Sequence, residues 1–434
     1  MSVGRDAGLV RRMGPWALGA AVINGVVGAG IFSLPSHMAQ AAGGLAPYAY
    51  LLCALAMSVV VVCFAEAGSR LPTSGGVYGT VEFAFGPMAG FVCGMMTWMA
   101  SVLACGGIAG AFASTLGTVL PWVAAGPGRA LVIVAAIGGI AWVNVRGVGH
   151  AAGLVSVATA AKLVPLVLFV AVGAVWLGAG WVPAPPALPP APLSGLAQAV
   201  ILGVFAFSGM ETPLAASGEV ANGNTTVPRA LFGSMGFVLV LYLGIQLVAQ
   251  HLLGAGLAGQ PAPLAAAAAR VSPLAGAVLV AGAGISMLGW IGSDILGAPR
   301  ILFAFARDGF LPRALGRAHP ATHAPDVAIW VHSAIAAALA LSGSFTFLVE
   351  ASALNTAGLY FLGCGAAWVL QRRDTQLAGT PVRFAFLPAA AVGGMVCMVV
   401  LVGVAPWDEI FGFGGVILGS LALYLLAKGR SVLF

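Results

Sequence analysis

The sequence predicts an all-α polytopic membrane protein with twelve transmembrane helices, built as two five-helix blocks followed by two extra helices. Three observations predict it. Of 434 residues, 60% are hydrophobic and 7% are charged, where soluble domains carry roughly 25% charged residues. Uncharged runs such as "YLLCALAMSVVVVCFA" and "PLVLFVAVGAVWL" cover most of a bilayer, which about 20 apolar residues span. The first and sixth apolar stretches also carry matching helix-breaking clusters. No period-two alternation is visible, so a β-barrel is excluded.

Spans are expected at 16–41, 45–69, 83–119, 129–145, 150–177, 194–218, 227–252, 272–306, 325–342, 345–370, 383–404 and 409–428. The third and eighth are long enough to tilt or to run past the membrane. Arg5, Arg11 and Arg12 precede the first stretch, but that stretch is too long for the apolar core of a signal peptide, so no cleavage is expected. With the N-terminus inside, all of the eighteen Lys and Arg except Arg129, Arg270 and Lys162 fall on cytoplasmic ends and loops. The positive-inside rule then places both termini in the cytoplasm of a multi-pass inner (plasma) membrane protein.

The net charge of +6 is spread over short loops and gives no nucleic-acid signal. The six cysteines lie in apolar spans without a CxxC pair and read as packing thiols. His37, His251 and His332 are single and scattered, with no metal-ligand spacing. They read as satisfied helix histidines, and neither metal nor cofactor is expected. The Pro-rich "VPAPPALPPAPLSG" cannot be helical and reads as an external linker. The organisation is thus 1–15 cytoplasmic, 16–177 first block, 178–193 linker, 194–370 second block, and 371–434 the last two spans with the cytoplasmic C-terminus.

The first span reads "INGVVGAGIFSLP", with Gly25, Gly28 and Gly30 in one short run, and each costs a helix about 1 kcal/mol relative to Ala. Small residues can serve helix packing. The sixth span, however, is interrupted at Ser208-Gly209-Met210-Glu211 with Pro213 behind. Paired interrupted spans at corresponding positions point to an inverted-repeat transporter. Unwound backbone at mid-membrane is tolerated where it lines a cavity. There, free N–H groups suit a carboxylate and free C=O groups an ammonium, the two groups of an amino-acid backbone.

The chain resembles the amino acid–polyamine–organocation (APC) superfamily over nearly its whole length. The resemblance is carried by "GVVGAGIFSLP", "FAEAGSRLPTSGGVYGTVEFAFGPMAGFVCGMMTW", "AAKLVPL", "FAFSGMETPLAASGEV" and "APRILFAFARDGFLP", in that order. It implies the five-plus-five inverted-repeat fold shared with the leucine transporter LeuT, and secondary active transport by alternating access. It further implies that the amides of Gly28, Ala29 and Gly30 hold the substrate carboxylate. The carbonyls of Val26, Phe205, Ala206 and Ser208 would take the α-ammonium, and Phe205 would cover the substrate as a gate. Ala100, Ser101 and Cys105 correspond to the side-chain pocket of the arginine/agmatine antiporters, and here they are small and nearly neutral. Helix packing is the alternative for each of them.

Lys162 lies deep in an apolar span, where a lone charge is costly. The resemblance makes it a tethered cation at the position sodium fills in sodium-coupled relatives, implying proton coupling or cation-independent exchange. Glu211 is acidic in the antiporters too; it reads either as a coupling residue or as a hydrogen-bond partner of unwound backbone. Asp294 departs from the family pattern. It can pair with Lys162 or face a substrate amine. Pairing with Lys162 is favoured, because no other acid lies plainly at that depth, and it implies neutral or broad amino acid substrates. The alternative is a cationic amino acid or polyamine carrier. A channel would need a polar stripe that no span shows, and no HExxH or mid-membrane Asp pair supports an enzyme. The expected partners are a small amino acid, protons and the lipid bilayer, with the protein a monomer or weak homodimer.

Overall fold

The computed structural model describes residues 14–28, 30–71, 76–146, 148–178, 188, 192–214, 220–320, 322, 324–377 and 379–431. Among them the chain is helical with no β-strand. In order, the helices are α1 (Pro15–Val26), α2 (Gly30–Ala42), α3 (Ala46–Arg70), α4 (Gly76–Phe85), α5 (Pro87–Gly117) and α6 (Gly126–Val145). Then come α7 (Val148–Gly178), α8 (Leu193–Phe207), α9 (Glu211–Leu214), α10 (Gly223–Leu253), α11 (Pro263–Ala269) and α12 (Pro273–Gly297). The last are α13 (Pro299–Arg307), α14 (Asp326–Ser342), α15 (Phe345–Arg372), α16 (Leu387–Gly403) and α17 (Trp407–Ser431). Among the described residues, eight stretches are long and apolar enough to cross a membrane, and four further apolar helices are shorter.

Burial sorts the helices. The most apolar stretch of α5 is 83% buried and that of α17 only 6%, so α5 is an axis and α17 belongs to the perimeter. α15, α14 and α12 pack along α5, α12 lies along α7, and α10 joins α1 to α3. The outer surface exposes large aliphatic side chains such as Leu55, Val240 and Leu274, as a lipid-facing surface requires. Trp16, Trp122 and Trp407 stand exposed at helix ends, the position interfacial tryptophans occupy.

Four details differ from the expected spans. The third is shorter, because Gly86 at φ +94° separates α4 from α5 with Pro87 opening the new helix. The eighth is divided at Ala298, ahead of Pro299, into α12 and α13. The short α11 falls in a loop where no helix was expected. The second half of the sixth span is one turn, Glu211–Leu214, and 215–219 lie outside the described residues. So do 1–13 and most of the Pro-rich linker.

Glu66, which the sequence places near a span end without assigned chemistry, is fully buried. Its Oε1 accepts from Arg70 Nε at 2.9 Å. Its Oε2 accepts from the Phe384 backbone N–H at 2.8 Å and from Gln371 Nε2 at 3.2 Å. The pair thus ties α3 to α15 and to the segment before α16. Removing one member of a buried pair leaves an uncompensated charge, at about 3–5 kcal/mol. Glu66→Ala and Arg70→Ala should each lower the melting temperature in detergent, with the double variant no worse than either single one. Additive losses would show that the two side chains act separately.

Candidate functional site

Each break falls where an apolar helix meets glycine. α1 ends at Val26 and turns through Val27 (φ −73°, ψ 72°) before helix resumes at Gly30. α8 ends at Phe207, Ser208 is extended (φ −77°, ψ 165°), and Gly209 takes φ +107°. The two breaks touch. A Cβ on Gly25 would lie 2.6 Å from the Gly209 carbonyl oxygen, and one on Gly209 would lie 2.5 Å from the Gly25 carbonyl oxygen. Two glycines are what allow this approach of backbone to backbone. Gly28 and Gly30 make room for side chains instead. A Cβ on Gly28 would meet the Trp290 ring at 2.9 Å, and one on Gly30 would meet the Phe205 ring at 2.7 Å.

A cavity of about 80 Å³ opens at the breaks, several times the ~10–15 Å³ that a single water needs. Val26, Gly28, Gly30, Phe205, Ala206 and Ser208 line it from the broken helices. Ala100 and Ser101 of α5, Glu211 of α9 and Asp294 of α12 complete the expected set on its wall. Ala29 lies outside the described residues. Cys105 is not on the wall: it is buried, with its thiol within 4.8 Å of the Asp294 carboxylate from behind. One helical residue earlier, Ala104 takes the place on the cavity.

Much of the unwound backbone already has partners. The Gly28 N–H donates to the Val26 carbonyl at 2.7 Å, and Tyr242 Oη–H donates to the same oxygen at 2.9 Å. The Phe205 carbonyl accepts from the Ser208 N–H at 3.2 Å and from its hydroxyl at 2.7 Å. Glu211 Oε2 accepts from the Gly209 N–H at 3.0 Å and from Tyr360 Oη–H at 2.8 Å, so this acid splints the second break.

The expected pairing of Lys162 with Asp294 is not formed. Lys162 Nζ donates to the Asn24 carbonyl of α1 at 2.8 Å. The negative pole of that half-helix, at its C-terminal end, accommodates the ammonium without an acid. Asp294 instead accepts from Ser101 Oγ–H at 2.5 Å through Oδ1, and Oδ2 lies 2.9 Å from His332 Nε2. Both residues are buried, but depth along two helices does not say which faces meet.

The sequence reading missed Tyr242, Trp290, Ser352 and Thr356 on the cavity wall. Trp290 stands one turn before Asp294 and so shares its face, a signal that was readable. Tyr242 is a mid-span aromatic with a polar tip that needs a partner. A second cavity, of about 270 Å³, shares Thr97, Ser101, Glu211, Thr212 and Asp294 with the first. It continues past Tyr78 and Gly297 to Arg300. The site therefore opens toward the end of the bundle formed by α4 and α13.

The amino acid permease family profile matches residues 13–425. The serine/threonine exchanger SteT of Bacillus subtilis (strain 168) is 26% identical over 90% of this chain and 90% of its own length. The branched-chain amino acid permease BcaP of Lactococcus lactis subsp. cremoris is 27% identical over 86% of this chain and 84% of its own. An uncharacterized transporter of Mycobacterium tuberculosis (strain H37Rv) is 31% identical, covering 83% and 81%. A match of this extent carries the class of activity with it, so the chain belongs to the amino acid permeases of the APC superfamily and is a membrane transporter, not an enzyme.

Proposed function

We propose that the protein is a secondary active transporter that moves small neutral amino acids across the inner membrane by alternating access. In this reading the chain crosses the membrane twelve times, with both termini in the cytoplasm. Residues 16–177 and 194–370 are inverted repeats, and 371–434 hold the two helices outside them. The observation that carries the reading is the contact between two glycine breaks over one cavity. The start of α2 presents amides to the substrate carboxylate. The end of α8, with the carbonyls of Ala206 and Ser208, presents acceptors to the ammonium. Phe205 covers the occupied site. Lys162 of α7 supplies a cation to the end of α1 in place of sodium, so that no sodium is needed, and its gain and loss of a proton during the cycle couples transport to protons. The second cavity is the route to the cytoplasm.

Two arguments support neutral substrates. Both carboxylate oxygens of Asp294 have partners within the protein, Ser101 and His332, so no substrate amine is required. The relatives are named for serine, threonine and branched-chain amino acids. The test is a thermal-shift panel of purified protein with twenty amino acids and several polyamines, since a ligand that binds the folded state raises its stability. Neutral amino acids should give the largest shifts, and Asp294→Asn should leave their rank order unchanged with affinities altered less than about tenfold, ~1.4 kcal/mol. Larger shifts with lysine, arginine or polyamines, lost in Asp294→Asn, would establish the cationic alternative.

A further inference from the structure

Behind the cavity wall lies a cluster that transport, as read above, does not use. Cys105 of α5, Asp294 of α12 and His332 of α14 place a thiol, a carboxylate and an imidazole nitrogen all within 4.8 Å of one another. All three residues are buried. They come from three helices, so no spacing in the sequence announces them. Asp294 also lines both cavities, which gives a solvated ion a path to the cluster.

We propose that Cys105, Asp294 and His332 form an inhibitory site for a borderline divalent transition-metal ion of the zinc class. The donor set selects the ion. One sulfur, one nitrogen and one oxygen suit Zn²⁺, Co²⁺ or Cd²⁺, whereas Mg²⁺ and Ca²⁺ require oxygen alone. Three protein donors would leave a fourth tetrahedral position for water.

Charge favours the same ion. Binding expels the thiol proton to solvent through the cavity, leaving a thiolate beside the carboxylate. A dication neutralises that pair, so no net charge is buried. His332 now directs Nε2 at the carboxylate, and this nitrogen binds the metal once its proton moves to Nδ1. Nδ1 has no hydrogen-bond partner among the described residues. The outer support that usually strengthens a histidine ligand is therefore lacking, as suits a site that fills reversibly. A bound ion would clamp α5, α12 and α14 together and occupy Asp294. Inhibition, unlike binding, thus rests on the cavity being the transport site.

The test has two arms. Purified protein is titrated with CoCl₂ and should give a thiolate-to-cobalt charge-transfer band in the near ultraviolet, saturating at one ion per chain and displaced by ZnCl₂. Cys105→Ala, which keeps the other five cysteines, should abolish the band, and His332→Ala should weaken it. Should Cys105→Ala fail to fold, Cys105→Ser replaces it. No band in the unsubstituted protein, or an undiminished one in the Cys105 variant, overturns the site. In proteoliposomes with ZnCl₂ on both sides, uptake should be inhibited. The half-inhibitory concentration should rise about tenfold or more in Cys105→Ala. Equal inhibition of both proteins, or a cobalt band without any inhibition, overturns the inhibitory role.

Discussion

Leucine at position 30 should abolish substrate binding while leaving the protein folded, and leucine at position 28 should do the same. The reason lies in what surrounds each glycine. A Cβ at Gly30 meets the Phe205 ring at 2.7 Å, and one at Gly28 meets the Trp290 ring at 2.9 Å. Both obstacles are side chains on the cavity wall, so the added carbon atoms push them into the space that the substrate needs. The backbone contact between the two breaks is made by Gly25 and Gly209 and is not touched. Expression and melting temperature without ligand should stay near those of the unsubstituted protein. Affinity should fall about a hundredfold or more, ~2.8 kcal/mol, read as loss of the ligand-induced thermal shift. Unimpaired binding in both variants would move the substrate site out of this cavity.

The second large effect is expected at Lys162. Its ammonium rests on the Asn24 carbonyl at 2.8 Å and does not line the cavity at the breaks. Lys162→Ala should therefore spare substrate binding and damage accumulation. In proteoliposomes, uptake against a gradient driven by a proton gradient should fall about tenfold or more, while exchange of labelled for unlabelled substrate persists. Charge near mid-membrane costs several kcal/mol unless it has a task or a partner, and here both are assigned to the end of α1. Replacing sodium by choline should leave uptake by the unsubstituted protein unchanged. A strict sodium requirement would contradict a protein-borne cation at that position.

These two residues also show what could be read from the sequence alone. The helical membrane class follows from apolar runs, and the breaks follow from glycine, serine and proline inserted into those runs; both are local signals. Ser101 and Asp294 read as substrate-binding candidates; both line the cavity and hydrogen-bond one another. The partner of Lys162 was misread because the argument used depth, and depth leaves the rotation of each helix open. Cys105 was misread for the same reason, being one residue away from the face that Ala104 presents. The break at Gly86 was hidden because apolar residues continue on both sides of it. His332 was seen only as a satisfied histidine, since its contact with Asp294 exists only after α12 and α14 are packed.

The mutual approach of Gly25 and Gly209 has a kinematic consequence. Where two chains touch through backbone atoms alone, there is no side chain to rotate aside and no slack to absorb relative sliding. In the proposed transport cycle the contact would act as a pivot, letting α1 and the end of α8 tilt about it together while resisting shear between them. On the proposed substrate site, the carboxylate pole at the start of α2 and the ammonium pole at the end of α8 would flank this contact from opposite sides. If the proposed site is the transport site, the two poles would load together, and a ligand offering only a carboxylate or only an amine would be expected to bind without being carried across.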